Sequence, residues 1–302
     1  MFRCLLLLAS LAMAPVSFGQ DLQPRRWTHV PVGSTFTGAT YAYTDADIYL
    51  NPSLRVEDAT LDIHTLGVSV VHSFKLLDKS ARFDLIQTFK DGRWKGLLNG
   101  SEASTSRSGM GDTALRFSIN LLGAPPLSGE EFVDYRKSKA DCETIVGAGL
   151  VVVLPTGNYL KDRRLNLGGN RYTFRPQIGV VHNRGKWSYE LTASGWFFSD
   201  NDSFVNGSTL EQDSLFSLQS HVVYTFRPGL WLAAGAAYGT GGRTQINGAK
   251  NDDGRNNLLW GVSFGFPASR STGFRLSYIN TRTLERTGFD SHSVLFGVSR
   301  MW

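Results

Sequence analysis

Residues 257–267 read Asn257-Leu258-Leu259-Trp260-Gly261-Val262-Ser263-Phe264-Gly265-Phe266-Pro267. Every even position from Leu258 to Phe266 is apolar, and from Gly261 onward the odd positions are small. Successive side chains of a strand point to opposite faces, so this stretch has one oily face and one small or polar face. The pattern recurs along the chain. Tyr172, Phe174, Ile178 and Val180 alternate with Arg171, Thr173, Arg175 and Gln177. Trp187, Tyr189, Leu191 and Ala193 alternate with Ser188, Glu190, Thr192 and Ser194. Phe216–Phe226 carries Gln219 and His221 on its polar face. Phe274, Leu276 and Tyr278 oppose Arg275 and Ser277, and Leu115, Phe117 and Ile119 oppose Arg116 and Ser118. Such segments are about ten residues long, the length a tilted strand needs to cross a bilayer.

Weaker segments at 35–43, 61–74, 81–89, 144–154 and 231–240, with the terminal 294–302, bring the expected count to about twelve. The predicted fold is all-β, a closed antiparallel transmembrane β-barrel of about 12 strands, an even number as bacterial barrels have. Loop lengths point the same way. Short connections at 183–186 and 227–229 alternate with long ones at 44–60, 90–109, 155–170, 200–213 and 241–256. Membrane barrels keep tight periplasmic turns and long external loops. Two connections break the parity: 282–288 is short and 123–142 is long. Within the latter, Ser128-Gly129-Glu130-Glu131 has the form of a capping box and predicts a short periplasmic helix over about 128–139.

The chain has 302 residues, 19% of them charged, with 32 Gly and two Cys. That composition, with a mean hydropathy of −0.16, excludes a disordered chain and a helical membrane bundle. Arg3, the apolar run Leu5–Met13 and the small residues Ser17 and Gly19 form a secretory signal, so residues 1–19 are expected to leave. The mature barrel would then span 20–302 and reside in the bacterial outer membrane. Cys142 would be its lone thiol, which rules out an internal disulfide. The pI of about 9.2 comes without any Lys/Arg-rich block, so nucleic acid is not an expected partner. The expected partners are outer-membrane lipid, small organic solutes and, during biogenesis, the barrel-assembly machinery.

Gly261-Val262-Ser263-Phe264-Gly265 matches G-x-S-x-G, but that motif needs a strand-to-helix turn and here it lies mid-strand. Ser220 and His221 face opposite sides of a strand and cannot form a dyad. The histidines lack metal-ligand spacing. No catalytic residue, metal or cofactor is expected. The polar face is the better functional candidate: Arg82, Arg116, Arg171, Arg175, Gln177, Glu190, Gln219, His221 and Arg275 would line a lumen. Arg227, Asp84 and Asp112 lie on the same face, and Glu190 would pair with Arg171 or Arg175. Basic residues outnumber acidic ones there, giving a polar, slightly cationic passage. Trp187, Phe226, Trp260, Phe266, Phe274 and Trp302 are expected in aromatic girdles at the headgroups.

The terminal Val294, Phe296, Val298 and Trp302 pattern resembles the last strand of bacterial outer-membrane barrels, with Arg300 a departure from it. A second resemblance covers most of the mature chain. It runs through Asp21-Leu22-Gln23-Pro24-Arg25, Pro31-Val32-Gly33, Tyr41-Ala42-Tyr43, Asn51-Pro52-Ser53-Leu54 and Gly111-Asp112. It continues through Asn120-Leu121-Leu122-Gly123-Ala124-Pro125, Asn170–Pro176, Phe198-Ser199-Asp200-Asn201 and Thr240-Gly241-Gly242-Arg243-Thr244. In order and spacing these resemble the outer-membrane transporter family labelled "MetA-pathway of phenol degradation". The resemblance implies a β-barrel that passes aromatic or related small organic compounds. The expected function is passive transport; the alternatives are an outer-membrane barrel hydrolase and a plugged structural or adhesion barrel.

Overall fold

The computed structural model describes residues 22–50 and 56–302. The signal-peptide reading and the Asn51–Leu54 loop lie outside them. In chain order the elements are β1 (Thr35–Tyr49), β2 (Val56–Leu76), β3 (Lys79–Leu98), β4 (Ser101–Met110), β5 (Thr113–Leu122), α1 (Gly129–Ser138) and β6 (Cys142–Leu154). Then come β7 (Thr173–Arg184), β8 (Trp187–Phe198), β9 (Asn201–Phe204), β10 (Ser208–Gln212), β11 (Leu215–Arg227) and β12 (Leu230–Gly241). The last are β13 (Thr244–Ile246), β14 (Ala249–Lys250), β15 (Arg255–Pro267), β16 (Thr272–Thr283) and β17 (Gly288–Met301).

Twelve of these described strands close a ring in the order β1, β2, β3, β5, β6, β7, β8, β11, β12, β15, β16, β17, each antiparallel to the next. The β1–β17 pairing joins the two ends of the chain, from Phe36 opposite Met301 to Tyr49 opposite Gly288. Closure leaves no rim of unpaired amides, which hydrocarbon could not satisfy. The alternation sets the facing. Ile178 is 54% exposed and Leu218 51%, whereas Gln219 is 2% and His221 5%. An apolar outer surface and a polar, buried inner one is the arrangement of a barrel with lipid outside. The weak segments now have a facing as well: Leu66, Val68 and Val70 of β2 point outward, while Ile145 and Val151 of β6 point in.

Several expected loops prove to be paired strand. β2 is 21 residues long and β3 is 20, about 65–70 Å at strand rise, far more than a membrane needs. Their outer ends stand above the bilayer with β4, which covers the edge of β3 from Leu98–Ser101 back to Phe89–Met110. Asn99 and Gly100 both take positive φ, the left-handed pair that a two-residue hairpin turn demands. Asn247 and Gly248 do the same between β13 and β14, which join β9 and β10 in a small sheet at the mouth. Facing inward above the membrane, Ala46, Ile48, Leu61, Ile63 and Trp94 form an apolar cluster with Leu167 of the 155–172 loop. In the membrane zone the inner face mixes polar side chains with apolar ones on β6 and at Ala237 and Leu259, and above it the inner face of β1–β3 is apolar.

Helix α1 lies in the long periplasmic connection, but Ser128 makes no side-chain cap. The helix is tied down at its other end: the Tyr135 hydroxyl and Arg136 Nη1 each donate to the buried Glu143 carboxylate at 2.9 Å. Arg227, expected on the lumenal face, is exposed at the β11–β12 turn, because a bulge after Thr225 shifts the register.

Leu191 sits mid-strand on the lipid face, 44% exposed. Leu191→Arg should destabilise the refolded barrel in vesicles by about 2–4 kcal/mol in denaturant titrations. No change would mean that this face does not meet hydrocarbon.

Candidate functional site

The interior is occupied by the chain's own start. Residues 22–34 leave the periplasmic end of β1 and run inside the barrel, touching β2 and the wall strands from β5 to β16. Near β1, the Gly33 amide donates to the Ser73 carbonyl at 2.8 Å and the Ser73 hydroxyl to the Pro31 carbonyl at 2.6 Å. His29 Nε2 lies 2.7 Å from the Pro125 carbonyl, its ring edge-on to Phe132 and Tyr135 of α1. Burial lowers the His29 pKa below the usual imidazole value, outweighing the Pro125 hydrogen bond and the Glu143 charge.

Trp27, 2% exposed, is the anchor of this strap. Gly147 and Gly179 stand opposite one another on β6 and β7, and Gly179 in turn stands opposite Thr192 on β8. The indole lies flat on the two glycines, so a Cβ at either would overlap it. Its Nε1 donates to Thr192 Oγ1 at 2.9 Å, and Ala124, Ile145 and Val181 close around it. Farther along, the Arg25 amide donates to Glu190 Oε2 at 2.8 Å, and the guanidinium sits 5.4 Å from the Trp231 ring centre. The Gln23 amide reaches Gln219 Oε1 at 3.4 Å. Leu22 then packs on Ala237, Leu259 and Ile279.

The expected lumen residues fall into distinct groups. On the β3–β5 wall, Asp84 accepts ion pairs from Arg82 at 2.9 Å and Arg116 at 3.4 Å, and Arg116 also reaches Gln23 of the strap. Gln177 donates to Ser194 at 3.0 Å. Glu190 pairs with the strap at Arg25 and lies 4.0 Å from His221, not beside Arg171 or Arg175 as expected. Register explains this: Glu190 lies opposite Val181 toward the periplasm, whereas Arg175 is near the outer end of β7, stacked 4.2 Å from the Trp196 ring centre. Arg171 precedes β7 altogether, and its guanidinium lies 4.5 Å from the Phe198 ring centre. Arg275 is half-buried between Gly265 and Gly297. Asp112 is no free lumenal acid, since it accepts the Gly157 and Gly169 amides at 2.8 and 2.7 Å.

The aromatics cluster toward the two rims. Trp187, Tyr224 and Phe226 meet edge to face, and Phe266 stacks between Phe264 and Phe274, on the side of the short turns. Trp260 pairs with Tyr278 nearer the outer end. Trp302 donates from its indole to Thr37 at 3.0 Å, with Arg300 over its ring. Ser263 of the G-x-S-x-G match is hydrogen-bonded to Ser277 at 2.8 Å, and Ser220 points outward. Sequence reading missed the strap. Its signal was the unusual pair of glycines in otherwise apolar strands, together with Trp27 in a segment that forms no strand.

The fold is that of an outer membrane channel from Pseudomonas putida F1, with a TM-score of 0.78 at 22% identity, covering 93% of this chain and 100% of that one. The translocator domain of the autotransporter NalP from Neisseria meningitidis has a TM-score of 0.49 at 12% identity, covering 91% and 90%. No curated protein matches the chain. The family described as "MetA-pathway of phenol degradation" matches residues 33–289, and the chain belongs to it.

Proposed function

We propose that the protein is a passive outer-membrane channel for small organic solutes, aromatic ones included, and that the 22–34 strap is its gate. One observation carries this reading. The strap lies inside the barrel and, beyond the backbone exchange of Gly33 and Ser34 with Ser73, joins no strand pairing; it is seated by an indole on a glycine floor and a handful of hydrogen bonds. A structural plug would gain from being woven into the sheet; a gate must leave without breaking it. The family's name and the channel from Pseudomonas putida F1 support the choice of solute class and activity. Lumenal arginines outnumbering acids support a slightly cationic passage. A hydrolase finds no support in the serine–histidine neighbours, since Ser220 and His221 lie on opposite faces and Ser263 is bonded to another serine. A leader at 1–19 and delivery by the barrel-assembly machinery complete the proposal.

Deleting residues 22–33, or Trp27→Ala, which removes about 3–5 kcal/mol of seating, should raise solute flux into proteoliposomes several-fold. Gly179→Leu, which leaves the indole no floor, should do the same. Unchanged flux in all three would remove the strap from the transport path. The seated His29 is held neutral, while a released one takes up a proton near pH 6.5. Seating is therefore at full strength above that pH and weakens as pH falls through it, so opening should rise between pH 7.5 and 5.5. His29→Phe should flatten the profile, and a pH-independent wild type would contradict the latch. Reversal potentials under a salt gradient should show weak anion preference; cation selectivity would refute a cationic lumen.

A further inference from the structure

The outer mouth holds a buried arginine whose hydrogen bonds are incomplete, with the charge of a second arginine acting on it. Arg171 is 5% exposed, and its Nη1 is buried with no hydrogen-bond partner among the described residues. Its Nη2 donates to Gln212 Oε1, and Gln212 Nε2 donates to the Gly242 carbonyl at 2.8 Å. Gly241, the next residue back, stands opposite Arg255 in the β12–β15 pairing. Gln212 thus places Arg171 beside the start of β15, where the charge of the partly buried Arg255 acts on it. Asp112 and Asp200 act on Arg171, and Asp253 on Arg255, through their charge, without supplying Arg171 Nη1 with a hydrogen-bond acceptor. Both oxygens of Asp112 accept backbone amides, and both oxygens of Asp253 are taken by Thr244, through its amide at 2.8 Å and its hydroxyl at 2.6 Å. Burial, and after it the Arg255 charge, pull the Arg171 guanidinium, in the loop before β7, down to about 10 against the opposing charges of Asp112 and Asp200. A buried guanidinium nitrogen without an acceptor is costly unless a ligand oxygen completes it.

The surroundings specify which anion. Arg171 lies over Phe198 and Arg175 over Trp196, two residues down the same strand, so aromatic faces and guanidinium planes alternate down the wall. A guanidinium fork matches a carboxylate edge to edge, and Phe198 and Trp196 make the wall beside it aromatic. We propose that Arg171 and Arg255 form a carboxylate-binding site at the extracellular mouth, and that the preferred solutes of this channel are aromatic carboxylates. The inference rests on the channel reading for its role in transport, but not for the existence of the site.

The test is equilibrium dialysis of the refolded full chain with benzoate, with acetate and the neutral isostere benzyl alcohol as comparison probes. Barrel closure of each variant is checked by its gel mobility shift on heating. Benzoate should bind saturably. Arg171→Gln and Arg255→Gln should each weaken it at least tenfold, Arg171→Lys should weaken it less, and benzyl alcohol should not displace it. Absent benzoate binding, or binding indifferent to both Gln substitutions, would overturn the site. Acetate binding as tightly as benzoate would overturn its aromatic half. Proteoliposome flux separates the two readings. If benzyl alcohol crosses but benzoate never binds, the channel stands and the site falls. If benzoate binding depends on Arg171 yet nothing crosses even with the strap deleted, the site stands and the channel falls.

Discussion

The placing of the strap turns on the contact between one indole and two missing side chains. Because Gly147 and Gly179 face each other across β6 and β7, the wall of the barrel is flat where Trp27 lies, and Thr192 waits at its edge for the indole N–H. Everything else in the strap is placed by that seat. Arg25 arrives at Glu190, Gln23 at Gln219 and Leu22 in the apolar corner made by Ala237, Leu259 and Ile279. On the other side His29 arrives against α1, which is in turn tied to Glu143. The strap's burial comes from apolar area and a few hydrogen bonds rather than a ladder of backbone pairs.

The lumen is layered. Its periplasmic half is polar and filled by the strap, with Asp84, Arg82 and Arg116 satisfying one another across the β3–β5 wall. Toward the outside, Arg175 and Arg171 climb past Trp196 and Phe198. Above the membrane the interior of β1–β3 turns apolar around Trp94 and Leu167. A solute entering from outside would leave water against an oily surface, meet cations stacked on rings, and stop at the strap.

Most of the barrel was legible because the two-residue period is imposed by lipid on one side and water on the other, and that constraint is written in each strand separately. The strand count, the parity of the loops, and the outward facing of Leu191, Leu218 and Phe264 follow from it. What was hidden follows from interactions between distant segments. Strand β4 carries no oily face, and the small sheet at the mouth buries Phe204 and Leu210 without the long two-residue period that lipid imposes; Asn99-Gly100, Asn206-Gly207 and Asn247-Gly248 mark their turns. Thr144–Leu154 resisted facing because its inner side is also apolar, as Ile145 and Gly147 are shaped to the strap. Glu190 was expected beside Arg171 or Arg175 because charge alone suggested partners, whereas register along β7 and β8 places them at different depths.

The central claim is that the strap must leave its seat for solute to pass. A reducible staple tests it: Gln23→Cys with Gln219→Cys in a Cys142→Ser background, joined by a short bis-methanethiosulfonate linker, because the contact runs from the Gln23 backbone amide to the far end of the Gln219 side chain at 3.4 Å. Flux of benzyl alcohol into proteoliposomes should fall to the protein-free level when the staple is in place and return on reduction. Equal flux through the stapled and reduced forms would contradict the account.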